Sequence, residues 1–337
     1  MQNLLDPAIL FFVFGVFAGA LRSNLEVPPA IAKFLSLYLL MALGLKGGFA
    51  LAQSGLTAEI ALSLSAAVTM AFVVPALGYA ILKNHVAGYD AAAVAAAYGS
   101  VSAVTFVTAM QYLESAGLRF GGHMAVAMVL MESPAIVMAV LLANGLRHQQ
   151  SVASGTQLAG AGVAALSGPR TGASPSLGQI LHESFTDGAH LLLLGAMAVG
   201  FLSGEAGKAV MQPFSGDLFK GMLAFFLLDM GLLVARNFEQ ARQASAVLIA
   251  YAALGPAVHA ALALALAWAL GLPAADAALL MVLSASASYI VVPAVLRYAI
   301  PEANPALYFG LSLGVTFPIN ILIGIPAYTA LAQLVLG

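Results

Sequence analysis

The sequence predicts an all-α polytopic membrane protein with about ten transmembrane helices, arranged as two inverted repeats of five helices each. Of its 337 residues, 62% are hydrophobic and 8% charged, and the mean hydropathy of +0.98 excludes an ordinary soluble domain. Short motifs also recur in the same order in the two halves of the chain. Each half contains five apolar segments, and an odd number means that the second half enters the membrane from the opposite side.

Hydropathy places the apolar segments in order along the chain. In the first half they cover residues 7–22, 30–53, 59–82, 91–113 and 123–146, and in the second half 189–203, 218–235, 244–270, 274–298 and 306–335. Each is long enough, or nearly so, to cross a bilayer. We therefore predict a first repeat at 1–148 and a second at 180–337. Residues 149–179 are rich in Gly, Ser and Ala, which is typical of a flexible linker.

Four pairs of motifs support the repeat. Gly44-Leu45 matches Gly231-Leu232, and residues 100–105, 131–137 and 73–77 match 286–291, 315–321 and 254–258 at nearly the same separation. Inverted repeats occur mainly in secondary transporters, which bind their substrate near the middle of the membrane where discontinuous helices meet. The pattern thus predicts a carrier.

Basic residues predict the orientation. The loops after spans 1, 3, 5, 7 and 9 carry Arg22, Lys83, Arg147, Arg170, Arg236, Arg242 and Arg297, and the opposite loops carry Arg119, Lys208 and Lys220. By the positive-inside rule the linker is cytoplasmic and both termini lie outside. The first span follows no basic residue and is predicted to be a retained helix. The absence of cysteine excludes disulfides, thiolate metal sites and cysteine nucleophiles.

Four ionisable residues lie within spans and are functional candidates, since each is costly to insert. Lys46 and Asp229 come close in the repeat alignment, which predicts a buried ion pair; alternatively Lys46 extends to a membrane interface. Glu132 precedes Pro134, whose missing amide frees a carbonyl, and this pair suits a cation or a proton relay. The alternative is a protonated Glu132 bonded to a neighbouring helix. His259 is more often a packing residue than a ligand.

Hydroxyl groups form the strongest pattern. Serines alternate with small residues in both halves, and an extended segment leading into a helix would present amides and hydroxyls to a small oxyanion. The alternative is that small residues simply allow close helix packing. The predicted substrate-binding residues are Ser100, Ser102, Thr105, Ser284, Ser286, Ser288 and Tyr289. Sodium is expected near Ser102, Glu132 and Ser288.

Several segments resemble the sodium-dependent bicarbonate transporters of cyanobacteria and many other bacteria. They are LGLKGGFAL (43–51), GSVSAVT (99–105), MESPAIV (131–137) and SASASYIVVPAVLRYAIPEANPALYFG (284–310), of which the last is the most specific. The resemblance covers nearly the whole chain except the linker.

The resemblance implies an elevator-like core and scaffold, a homotrimer in the bacterial inner membrane, and sodium-coupled uptake of bicarbonate without another cofactor. Related cyanobacterial proteins bind a cytoplasmic PII-like regulatory protein. Tyr289 stands where the family usually has an aspartate, and Val291, Val292, Ala103 and Val104 also depart from it. A phenol in place of a carboxylate favours a larger or less charged substrate, or a proton in place of sodium.

Two other classes of function compete with transport. The departures at Tyr289 also fit a receptor or scaffold derived from a transporter, which binds a cytoplasmic partner without flux. An intramembrane hydrolase needs a nucleophile beside a base, and no such motif, for example GxSxG, is present. We therefore expect that the protein is not an enzyme.

Overall fold

The computed structural model describes residues 6–55, 57–158, 188–289 and 291–337, in which it contains helices and turns but no β-strand. The helices of the first half are α1 Pro7–Ala20, α2 Pro29–Ser54, α3 Ala58–Leu82, α4 Gly88–Gly99, α5 Ala103–Ser115 and α6 Met124–Leu158. Those of the second half are α7 Gly188–Gln212, α8 Leu218–Arg242, α9 Ala246–Leu270, α10 Ala274–Ala285, α11 Val291–Ala299 and α12 Pro305–Leu336. Within α12, Ser312–Thr316 and Asn320–Gly324 are π-helical.

Seven helical stretches of the described chain are long and apolar enough to cross a membrane, and α1 and α10 are shorter apolar helices. The prediction of a multi-pass all-α membrane protein is confirmed at this level, while the count of ten spans and their inverted arrangement remain predictions. One stretch, Leu191–Phe238, is too long for a single crossing. Gly204 interrupts the helical backbone within this stretch with a positive φ of 53°, a conformation that glycine adopts at little energetic cost.

Two of the predicted spans are interrupted. Residues 100–102 separate α4 from α5, and the described residues 286–289 follow α10 before α11 begins at Val291. Ser102 caps α5 by accepting a hydrogen bond from the Thr105 amide at 3.2 Å, and Ser288 does the same for the Val292 amide at 3.3 Å. Serine is a favoured N-cap because its oxygen satisfies an amide that has no partner within the helix. The sequence therefore restarts a helix at both positions.

Glycines join four helices into two close pairs, α1 with α8 and α2 with α7. A Cβ on Gly231 would collide with the Phe12 carbonyl oxygen, and one on Gly48 would collide with that of Met197. Such contacts are possible only where small residues let two backbones approach. We call α1, α2, α7 and α8 together the glycine-paired body.

The remaining helices, α3 to α6 and α9 to α12, pack mainly on one another. This group contains both interrupted helices, and we call it the broken-helix body. Its interior is closely filled, since most side chains of α4 and α10 are fully buried.

Of the predicted linker, the structure describes residues 149–158. Helix α6 continues through its first residues to Leu158. The rest of the prediction for 149–179 lies outside the described residues.

Candidate functional site

The two interruptions meet inside the broken-helix body. The Ser102 amide donates to the Ser286 hydroxyl at 2.9 Å, and the Ser288 amide donates to the Ala97 carbonyl at 2.8 Å. The Ser286 hydroxyl in turn donates to the Leu283 carbonyl at 2.8 Å. Backbone groups that leave the helical pattern are therefore satisfied across the crossing, as buried polar groups require.

Both short helices that follow the interruptions, α5 and α11, begin at this crossing. The amino terminus of a helix carries a partial positive charge and amides without intrahelical partners. The crossing thus brings two such ends together among buried side chains. This arrangement favours a negatively charged ligand.

A cavity of ≈ 70 Å³ lies beside the crossing, between the two bodies. The broken-helix body contributes the first turn of α5, the serine segment before α11, and part of α6. The glycine-paired body contributes one wall from α2 and α7. The lining residues are Ser36, Leu40, Val101, Ser102, Ala103, Val104, Met128, Glu132, Ala189, Leu193, Ser288 and Tyr289.

Glu132 is the carboxylate among these lining residues. It lies on α6 and is 4% exposed, two residues before Pro134 within the same helix. A buried carboxylate beside hydroxyl and amide groups can bind a cation or exchange a proton.

Tyr289 also lines the cavity. The ring packs edge-on against Phe317 at 5.5 Å between centroids, and the hydroxyl lies 3.8 Å from the sulfur of Met230. The same hydroxyl interacts with the Ser102 side chain. Tyr289 therefore supplies a neutral hydroxyl at the position for which the sequence comparison expects a charged oxygen.

Three of the seven predicted substrate residues line the cavity, namely Ser102, Ser288 and Tyr289. Two others lie next to it without lining it. Thr105 donates to Ser102 at 3.0 Å, and Ser286 joins the two interruptions.

Ser100 and Ser284 lie away from the cavity. Both are buried, and in the described part of the chain neither hydroxyl has a hydrogen-bond partner. Nearby, the Tyr98 and Thr316 hydroxyls are 2.6 Å apart. Of the serines that alternate in the sequence, some therefore line the cavity and others do not.

His259 is buried at 1% exposure, and its ring packs against Tyr251 at 6.0 Å between centroids. It does not line the cavity. These contacts agree with the interpretation of His259 as a packing residue.

The predicted ion pair between Lys46 and Asp229 is not formed. Lys46 instead bonds to Glu114 at 2.9 Å and lies over the Phe219 ring, 4.2 Å from its centroid. Phe219 and Asp229 are both on α8, separated by about 15 Å at the helical rise of 1.5 Å per residue. The repeat alignment placed Lys46 and Asp229 at related heights but could not show which helix face each one occupies. Asp229 is buried on α8.

The sequence did not indicate the wall formed by Ser36, Leu40, Ala189 and Leu193, or the contribution of Met128. Small and apolar residues within apolar spans carry no signal for a binding site. Only the pairing of α2 with α7 brings them to the cavity.

No group of three or more His, Asp or Glu side chains that could bind a metal occurs in the described ranges. A sodium ion at the cavity would therefore depend on Glu132 together with hydroxyl and carbonyl oxygens. Such ligands suit a hard cation.

The apolar helices, the two interrupted helices and the cavity at their crossing fit the architecture of a membrane transporter. The chain belongs to the Na+-dependent bicarbonate transporter superfamily, whose pattern it matches over residues 7–333. This membership confirms the resemblance and indicates transport rather than catalysis. None of the curated proteins compared with the chain gives a match.

Proposed function

We propose that the protein is a secondary active transporter of bicarbonate or a similar small oxyanion, driven by sodium. The observation that carries this proposal is the cavity at the crossing of the two interrupted helices. It combines helix amino termini, hydroxyls and the Glu132 carboxylate in one small space.

The size of the cavity supports a small substrate. A water molecule needs about 10–15 Å³ of such space, so ≈ 70 Å³ admits a handful of waters or a four-atom oxyanion. A nucleotide or a large amino acid does not fit. The amino ends of α5 and α11, together with the Ser102 and Ser288 side chains, favour the negative charge.

Glu132 is proposed as the coupling residue. Sodium would bind close to Ser102, Glu132 and Ser288, where its charge offsets the carboxylate and strengthens anion binding. Coupling requires that the loaded and empty forms differ in their preference for the two conformations.

The two bodies support an elevator-like movement. The broken-helix body carries the polar groups of the site, and the glycine-paired body acts as the scaffold. In this proposal the chain forms two inverted five-helix repeats and a homotrimer in the bacterial inner membrane, with both termini outside and lipid around it. A PII-like protein on the cytoplasmic side is part of the same proposal and follows from the resemblance.

A proton-coupled carrier is the second candidate, and Tyr289 favours it. With a phenol where the family usually has a carboxylate, Glu132 is the single carboxylate among the described lining residues, and a hard cation loses a charged ligand. A buried Glu132 could instead carry the proton.

Uptake of radiolabelled bicarbonate into proteoliposomes, under a sodium, potassium or proton gradient, tests both candidates. Sodium-driven uptake by the natural protein supports the first, and proton-driven uptake supports the second. Uptake that begins only in Tyr289→Asp indicates that the natural substrate is a different one. The alternative function of a receptor derived from a transporter would be favoured if no anion is transported under any of these gradients and a cytoplasmic partner still binds.

A further inference from the structure

A second and much larger cavity, which we call the vestibule, opens at the opposite end of α2 and α5 from the candidate site. Its volume is ≈ 1050 Å³. Four basic side chains and two carboxylates line it: Lys46, Arg119, Lys208, Lys220, Glu114 and Asp217. Four of the protein's 12 lysines and arginines thus surround one opening, although the whole chain has a net charge of −2.

The four basic side chains differ in whether a carboxylate lies close to them. Lys46 is paired with Glu114 at 2.9 Å, and Lys208 lies 3.7 Å from Glu205 on an exposed surface. Within the described ranges, Arg119 and Lys220 have no carboxylate partner. These two cations are therefore available to a ligand.

The vestibule and the candidate site lie along the same two helices, α2 and α5. Lys46 and Met110 line the vestibule, and Leu40 and Val104 line the cavity at the crossing. Lys46 and Leu40 are about 9 Å apart along α2, and Met110 and Val104 are about 9 Å apart along α5, at 1.5 Å per residue. About two helical turns of α2 and α5 therefore separate the two spaces.

The ion pair at the base of the vestibule joins the two bodies. Lys46 belongs to α2 of the glycine-paired body, and Glu114 belongs to α5 of the broken-helix body. An anion that reaches the base encounters a lysine already shared with a carboxylate of the moving body.

We propose that the vestibule is a separate binding site for hydrated small oxyanions, with Arg119 and Lys220 as its principal cations and Lys46 at its base. This inference rests on the proposed function, because the vestibule would collect the transported anion before it reaches the crossing. Its large volume means that the anion keeps part of its water and binds through long-range charge attraction, which raises local anion concentration.

The experiment uses thiol labelling, which requires no transport. The chain has no cysteine, so Ala50→Cys places one thiol in the vestibule and Ala58→Cys places one on an exposed helix start outside it. In neutral detergent, the rates of an anionic and a cationic methanethiosulfonate are compared. Arg119→Glu combined with Lys220→Glu should lower the anionic-to-cationic rate ratio at position 50 at least about fivefold. The ratio at position 58 should stay constant.

Lys83→Glu, which reverses one charge where the double variant reverses two, is the remote control, because Lys83 is exposed and does not line the vestibule. It should leave the ratio at position 50 unchanged. An equal fall with Lys83→Glu, or no fall with the double variant, overturns the proposal.

Anion protection tests binding itself. Bicarbonate or sulfate should slow anionic labelling at position 50 more than chloride does at the same ionic strength. Equal slowing by chloride shows charge screening alone and overturns the binding site. Because labelling is measured without transport, the experiment tests the vestibule even if the protein transports no anion.

Discussion

Replacing Ser286 with alanine should destabilise the protein by removing the hydroxyl that joins the two interrupted helices. This hydroxyl accepts from the Ser102 amide at 2.9 Å, donates to the Leu283 carbonyl at 2.8 Å, and is 1% exposed. Without it the Ser102 amide is buried with no acceptor, at a cost of about 1–3 kcal/mol.

The size of the effect on Tm follows from the length of the chain. At about 2.1 cal/mol/K per residue, unfolding 337 residues has an entropy of about 0.7 kcal/mol/K. A loss of 1–3 kcal/mol then lowers Tm by about 1–4 °C. The assay is thermal unfolding of the purified protein in one detergent, followed by fluorescence.

Ser284→Ala is the matched control. Ser284 is equally buried, lies two residues earlier, and has no hydrogen-bond partner for its hydroxyl within the described chain. Its replacement should leave Tm unchanged or slightly raise it, because no bond is lost. If both variants lower Tm equally, the bond between Ser286 and Ser102 does not stabilise the crossing.

Three further predictions concern other parts of the molecule. Gly48→Ala should lower Tm, since overpacking costs about 1–3 kcal/mol. Gly195→Ala is the control and should not lower Tm, because the space around Gly195 is open. Equal melting curves for the two variants contradict the close pairing of α2 with α7. Glu132→Gln should reduce gradient-driven uptake about tenfold or more without changing Tm, and full uptake excludes Glu132 as the coupling residue. The Arg147 side chain, 2.8 Å from Glu302, lowers the pKa of that carboxyl, so this stabilisation exists at neutral pH and is lost as the pH falls through that pKa. The Tm difference between the natural protein and Glu302→Gln should therefore shrink in acid. A Tm difference that does not depend on pH contradicts stabilisation by this ion pair.

Much of the helical architecture could be predicted from the sequence. The predicted bounds of spans 2 and 3 agree with those of α2 and α3 within a residue or so. The sequence analysis also suggested an extended segment leading into a helix where the serines alternate, and both interruptions lie in such segments. Long apolar segments and helix caps are local properties, which explains this agreement.

The site was harder to predict because it depends on which helix faces meet. The alternation of serines suggested one common surface, but Ser102 and Ser288 line the cavity while Ser100 and Ser284 lie elsewhere. The error for Lys46 has the same origin. Its partner, Glu114, comes from α5, and no sequence pattern relates the two residues.

The apolar wall that α2 and α7 present to the cavity has a consequence for leakage. Apart from Ser36, the lining residues on this wall are Leu40, Ala189 and Leu193. Apart from the Ser36 hydroxyl, such a surface offers an ion no side-chain ligand. In the proposed elevator movement it would seal the cavity against stray ions and form few directional bonds with the body that moves past it.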